Sequence, residues 1–248
     1  MDASVDIRYI ASTNEVERIA FMDAWLGSSG LRFERVDGVI VADYELIDCY
    51  DRAKRLSRFG YDLSRSEIGC FLAHRSCWQE CASSNRMMLV FESDIKVRDS
   101  VDLTVLLGEL VNCRRHYDMV RLHGIFEHNE FVRRELVQFK DSEFQLDQCL
   151  GDPMGGGAYL ITPKAALALL QQSMKIYQPL DVFIGATWLH RQRFRTVKPY
   201  PFEVGQFESE IGERKRPKQS VFQRLSIEGH RFVDDLKRVL YMPVDLFR

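Results

Sequence analysis

No two of the six cysteines (Cys49, Cys70, Cys77, Cys81, Cys113 and Cys149) are spaced as a CxxC pair, and none has zinc-type spacing. That sets aside the common redox and zinc-finger classes and leaves free thiols of a reducing compartment as the expectation. Cys70, Cys77 and Cys81 fall on one expected helix, where cysteine acts as a small hydrophobe. The opening MDASVDIRYIAS has no basic stretch followed by an apolar core, so no signal peptide is expected. No apolar run is long enough to span a bilayer. Together these absences point to a cytoplasmic protein, at most peripheral on the inner face of a membrane. Excess positive charge is missing too. With 34 Lys and Arg against 36 Asp and Glu the formal net charge is −2, which argues against a nucleic-acid partner. Nor is there an internal repeat or a low-complexity stretch. What remains has the composition of an ordinary soluble globule, 46% hydrophobic and 28% charged over 248 residues, enough for one α/β domain with a sizeable core.

From the N-terminus, Val5 to Ala11 alternates as a strand. Asn14 stands as N-cap of a helix through about Leu26, with Val16, Ile19, Ala20, Met22 and Trp25 on its apolar face. Leu31 to Val36 suits a second strand, closed by the turn signal Asp37-Gly38. This β-α-β opening favours a parallel sheet with covering helices. The basic stretch Tyr50 to Tyr61 reads as part helix, part loop. Ser64 and Glu67 then have capping-box spacing, in which hydroxyl and carboxylate each satisfy a backbone N–H that the helix leaves over. The helix they start turns Ile68, Phe71, Leu72 and Trp78 inward.

Arg86 to Phe91 carries the apolar run Met87-Met88-Leu89-Val90-Phe91, the pattern of a strand buried on both faces. Val101 to Leu110 suits a helix and Asp118 to Leu122 a short strand. Phe126 to Gln148 is polar and aperiodic, the pattern of a mobile loop or variable insert. Gly155-Gly156-Gly157 is a turn feeding a strand through Ile161. Thr162-Pro163 opens another helix, hydroxyl at the N-cap and proline at N1, with Leu167, Leu169 and Leu170 packing it down. From Arg214 onward nine Lys or Arg (214, 215, 216, 218, 224, 231, 237, 238 and 248) face four acids (228, 234, 235 and 245), a net +5. Apolar residues interleave with them, so the tail reads as a basic amphipathic segment. It either docks on the core or meets an anionic membrane surface.

Glu92-Ser93-Asp94 follows the apolar strand directly. In open α/β sheets ligands bind beyond the carboxyl ends of strands, and two carboxylates there can hold Mn²⁺ or Mg²⁺ against a phosphate. The surroundings of this pair resemble the signature of glycosyltransferase family 25, the lipooligosaccharide and procollagen galactosyltransferase-like family. The matching elements are Leu63-Ser64, Glu67-Ile68-Gly69-Cys70, Leu72, His74, Trp78 and Leu89 to Asp94. Downstream, Gly156 to Ala166, Pro179-Leu180-Asp181 and Pro199 to Ile211 continue the resemblance in the family's order. Arg32 to Gly38 and Arg55 to Asp62 precede it. The family usually shows Glu-Asp-Asp where this chain has Glu-Ser-Asp, and of its arginine cluster after the first strand only Arg18 stands here.

The resemblance implies a GT-A-like α/β fold with a mixed, mostly parallel sheet and covering helices. Residues 1–212 would form the glycosyltransferase domain, with a donor half of about 1–125 and an acceptor half of about 150–212, and 213–248 the basic tail. It further implies a UDP-sugar donor, a divalent cation on Glu92 and Asp94, and a glycan or glycolipid acceptor. Glu67, Gly69 and His74 would line the donor pocket, with Gly156 and Gly157 giving close backbone approach to the sugar. Asp181 is the first choice for a base, with Asp152 its rival. His123 and His190 are further possible ligands without a motif, and Trp188 is a possible sugar platform. Two other readings use the same acids: a sugar-nucleotide or glycan-binding module without turnover, and a metal-dependent phosphohydrolase.

Overall fold

The computed structural model describes residues 5–44, 47–126, 133–149, 154–205 and 221–246. Its centre is an eight-stranded sheet. The first three strands in the sheet are β1 (Val5–Ala11), β2 (Phe33–Asp37) and β3 (Met87–Glu92), with β1 in the middle and parallel to both neighbours. Helix α1 (Val16–Ser28) connects β1 to β2; α2 (Arg52–Phe59) and α3 (Arg65–Ser84) return the chain to β3 on the other side of β1. The connections therefore part in opposite directions between β1 and β3. That divergence opens a crevice at the carboxyl ends of the strands.

Beyond β3 lie β8 (Ala158–Ile161), β5 (Met119–Arg121), β9 (Phe194–Lys198), β7 (Gln145–Cys149) and β6 (Arg133–Gln138), in that order. Only β8 and β7 run against the rest, so six of the eight strands share one direction. Strands β4 (Ile95–Val97) and β10 (Phe202–Val204) pair separately, antiparallel. This is the mixed, mostly parallel sheet of a GT-A-like fold.

Strand β3 shows why the apolar run had to be central. Met87, Leu89 and Phe91 enter the core on the face covered by α1 and α4 (Leu103–Asn112). Met88 and Val90 enter the opposite core, built with α3, α5 (Pro163–Gln172) and α6 (Leu180–Gly185). Helix α3 begins on the full capping box: Glu67 N–H donates to Ser64 Oγ at 3.1 Å and Ser64 N–H to Glu67 Oε2 at 2.7 Å. Thr162 caps α5 with Pro163 in its first turn.

Three local expectations are corrected. Asn14 does not cap α1; Glu15 occupies the N-cap, and its Oε2 accepts from Ser12 N–H at 3.0 Å. The carboxylate reaches back to the loop donor, so the asparagine has no role there. Within Phe126–Gln148, the described part is an ordered hairpin, β6–β7, because β7 pairs with β9 through Leu146–Val197 and Asp147–Thr196. A partner strand 50 residues away in sequence supplies what the local pattern lacks. Leu167 lies 53% exposed on the outer side of α5, while Leu169 is fully buried. Among the described residues no helix is long and apolar enough to cross a membrane.

Candidate active site

Glu92 ends β3, and Asp94 sits in the two-residue turn that leads into β4. The turn is pinned by backbone bonds from Ser93 N–H to Ile10 O at 2.9 Å and from Gly205 N–H to Asp94 O. Both carboxylates line a cleft of about 350 Å³ at the β1/β3 crevice. The cleft's walls come from the β1–α1 loop with Ser12, Glu15 and Arg18, from residues 38–41, and from the first turns of α3 with Arg65, Gly69 and Cys70.

Gly69 explains how residues 38–41 can close that wall. A Cβ at position 69 would stand 2.1 Å from the carbonyl oxygen of Val39, well inside contact distance. Only glycine lets the α3 backbone and this loop meet.

The charges in the cleft are unequal. Asp94 is buried beside Glu92, and these two causes, burial first, push its carboxyl up to about 6 against the opposing pull of Arg18. Its Oδ1 is buried with no hydrogen-bond partner. Such an oxygen is costly unless a cation or donor meets it. Glu92 is the reverse case. Burial would raise it, but hydrogen bonds from His74 and Cys70 hold it below the usual carboxylate range. Glu15 is engaged on both oxygens: Ser93 Oγ donates to Oε2 at 2.8 Å, and Arg18 pairs with Oε1 at 2.9 Å. That pairing holds the Arg18 guanidinium at the cleft.

Behind Glu92 lies a buried hydrogen-bond chain. Trp78 Nε1–H donates to Tyr159 Oη at 2.8 Å, and Tyr159 Oη lies 2.8 Å from His74 Nδ1. His74 Nε2 lies 3.1 Å from Glu92 Oε1. An indole N–H can only donate, so the tyrosine hydroxyl accepts from it and also meets Nδ1. An ionised Glu92 can only accept, so His74 Nε2 carries a proton and donates to the carboxylate. Cys70, His74 and Glu92 form the one cluster of three ligand-type side chains among the described residues, their atoms within 4.8 Å. With Nε2 protonated, the histidine lone pair is not offered to a cation, and the cluster works as a cradle for Glu92. Replacing Tyr159 with phenylalanine is expected to leave Trp78 Nε1–H and His74 Nδ1 without partners at a fully buried site, costing about 1–3 kcal/mol. It should also weaken Mn²⁺ binding about tenfold by releasing the histidine. Thermal melting and a Mn²⁺ titration separate the two effects; unchanged Mn²⁺ affinity would reduce the chain to a packing device.

These carboxylates suit a divalent cation. Two oxygen donors, one of them buried and unpaired, match a hard ion such as Mn²⁺ or Mg²⁺. The remaining sequence candidates are distributed around this centre. Glu67 is engaged in the α3 cap and does not line the cleft. Gly156 and Gly157 are buried and closely packed: a Cβ would stand 3.0 Å from Leu180 Cδ2 and 2.9 Å from Ile95 Cγ1, so those side chains would have to give way. The glycine turn is thereby held against α6, whose first turn carries Asp181. Asp181 lies near enough for its charge to bear on the Cys70 thiol. Asp152 falls outside the described residues. His123 is buried near Glu92, kept neutral by burial, with Nδ1 unpartnered. His190 instead uses both ring nitrogens on backbone, Nε2–H to Ile184 O and Nδ1 from Gln192 N–H. The Trp188 ring is covered by Arg238.

Residues 6–184 match the family described as glycosyltransferase family 25 (LPS biosynthesis protein). The chain belongs to this family. No curated protein matches it. Membership makes the protein a glycosyltransferase of lipopolysaccharide biosynthesis, with a sugar donor and an acceptor to accommodate. The match spans β1 through α6, so every described residue that lines the cleft, and Asp181 as well, lies within the family's segment. Glu15, Arg65 and Tyr159 are the site residues that sequence reasoning missed. Glu15 reaches the acidic turn through Ser93 and Tyr159 reaches Glu92 through His74, contacts distant in sequence, while Arg65 lines the same cleft; no local pattern marks them.

Proposed function

We propose that this glycosyltransferase moves a hexose, galactose in the first instance, from a UDP-sugar to a saccharide of a lipopolysaccharide-type glycolipid with inversion at the anomeric carbon. The observation that carries the reading is the buried, unpartnered Asp94 Oδ1 beside Glu92, in a crevice that also presents Arg18 and Arg65. Glu92 and Asp94 would hold a divalent cation, which when bound would supply positive charge to the departing diphosphate. Arg18, fixed by Glu15, and Arg65 add donors for phosphate oxygens. His74 keeps the Glu92 carboxylate ionised and aimed. Asp181 accepts the proton of the acceptor hydroxyl as its oxygen bonds to the anomeric carbon and the bond to the diphosphate breaks. In this scheme residues 1–125 form the donor side and 150–212 the acceptor side. The work takes place on the inner face of a membrane, in the cytoplasm.

A melting screen of UDP-sugars with and without Mn²⁺ tests it. At a hundredfold excess over Kd a ligand that binds only the folded state adds about 2.7 kcal/mol. For a chain this long that is a rise of about 5–10 °C. The rise should need both Mn²⁺ and the right sugar, and labelled sugar should then appear on a glycolipid acceptor. No shift with any UDP-sugar would sink the donor reading. A shift without turnover would favour the binding module, which Ser93's bond to Glu15 in place of a third free carboxylate also favours. Phosphate release independent of acceptor would indicate a phosphohydrolase.

A further inference from the structure

The last helix, α8 (Val221–Leu246), is attached to the domain by the wrong side. Among residues 224–241, whose side chains are described, those that are not exposed are Ile227, His230, Asp234, Arg238 and Tyr241, spaced 3, 4, 4 and 3 apart along one face. This face is largely polar. Asp234 accepts from Arg58 of α2 at 2.8 Å, Arg238 lies over the Trp188 ring at 5.0 Å, and Ile227 is the one apolar residue of the three anchors, 4% exposed. At 3.6 residues per turn Leu225, Phe232, Leu236 and Val239 fall on the opposite side, with Val233 and Leu240 at its edge. All six are solvent-facing, Phe232 at 68% and Leu225 and Leu240 at 66%. A helix that merely completes a core would present that stripe inward. Here the polar side grips the protein and the apolar side is left out.

We propose that this outward stripe of α8 seats in an anionic lipid bilayer and holds the enzyme on the membrane that presents its acceptor. This rests on the glycolipid reading above and names the surface that serves it. Charge selects the occupant. The segment from Arg214 carries a net +5, all of it from Arg214, Lys215, Arg216 and Lys218 just before α8 in sequence and Arg248 after it, since the four Lys or Arg of α8 itself balance its four acids; the whole chain carries −2, which leaves −7 for the rest. An anionic surface attracts the basic residues that flank α8 and repels the body, so the molecule approaches tail first. Helix α8 packs on both α2 and α7 (Thr187–His190), so its outward stripe is carried by the body of the domain.

The test uses the full chain and the pair of substitutions Phe232→Asp and Leu236→Asp, both on the exposed stripe and outside the docking face. Vesicles of phosphatidylcholine with a third phosphatidylglycerol are compared with pure phosphatidylcholine vesicles. The native chain should co-sediment with the anionic vesicles, at least tenfold better than with neutral ones, and release in high salt. The double variant should lose that binding tenfold or more while keeping its melting temperature and its transfer to a soluble, detergent-free acceptor saccharide. Equal vesicle binding by native and variant protein would overturn the proposal. So would absence of vesicle binding together with a native dimer that the double variant breaks, since the stripe would then be a self-interface. Neither result touches UDP-sugar binding, which is read separately by the melting screen.

Discussion

Asp94→Asn is expected to make the metal-free protein more stable and to end its transferase activity. The carboxyl of Asp94 is raised to about 6 by burial and by Glu92, against an unfolded value near 4. A carboxyl that is harder to ionise in the folded state opposes folding once it is charged. Stability attributable to it falls as pH rises from about 4 to about 6 and stays level above. Asparagine cannot ionise, so the variant escapes this loss. The gain should be on the order of 2–3 kcal/mol at pH 7.5, about 4–10 °C in melting temperature, and should vanish at pH 4. At the same time the Mn²⁺-dependent rise with UDP-sugar should disappear. Transfer should fall at least about 10³-fold, because several kcal/mol of transition-state stabilisation goes with the cation. Melting curves at pH 4 and 7.5, with and without Mn²⁺, read both halves. A variant as stable as the native chain at pH 7.5 would mean that Asp94 is solvated or paired, and the argument for a cation at this turn would fail.

Such an exchange of stability for function is the physical signature of a binding site. It also explains which parts of this protein its sequence disclosed. Strand β3 was legible because a five-residue apolar run has few places to go except between two layers, and the two cores do take its alternate side chains. The α3 start was legible because the capping box is a local pattern of two residues, Ser64 and Glu67. Since helix and strand fix each other's position, the acidic turn at the β3 exit was legible as well. The family resemblance and the fold agree on that segment.

What stayed hidden depends on contacts far apart in sequence. Tyr159 stands 85 residues from His74 and Ser93 stands 78 from Glu15, so neither contact leaves a trace in local spacing. Gly69 looked like a pocket residue. The structure gives it a different necessity, the passage of Val39, although the effect is again to shape the pocket. The β6–β7 hairpin was unreadable because its strands are polar and their order is imposed by β9. The amphipathic pattern of α8 was plain, but a helical pattern does not say which face docks. Arg58 and Trp188, both from elsewhere in the chain, decide that.

Asp181→Asn should lower transfer about 10²–10⁴-fold while leaving donor binding intact, the usual range for loss of a general base. The competing role for this residue is purely local. Its Oδ1 accepts from Val182 N–H at 2.8 Å in the first turn of α6, where a carboxylate also favours the helix dipole. A residue that does only this is worth roughly 0.3–1 kcal/mol, and asparagine retains an oxygen for the same bond. The cap role therefore predicts a melting temperature within about 2 °C of native and nearly native transfer. The base role predicts the same melting temperature, an unchanged UDP-sugar and Mn²⁺ response, and a turnover number lower by orders of magnitude. Since stability is the same under both, turnover alone decides. The placement favours the base: α6 is clamped by Gly156 against Leu180 and Ile184, and Asp181 is near enough to Cys70 to act on its thiol, one side chain from Glu92. Native turnover in the asparagine variant would reassign the base to another residue and leave Asp181 to the helix.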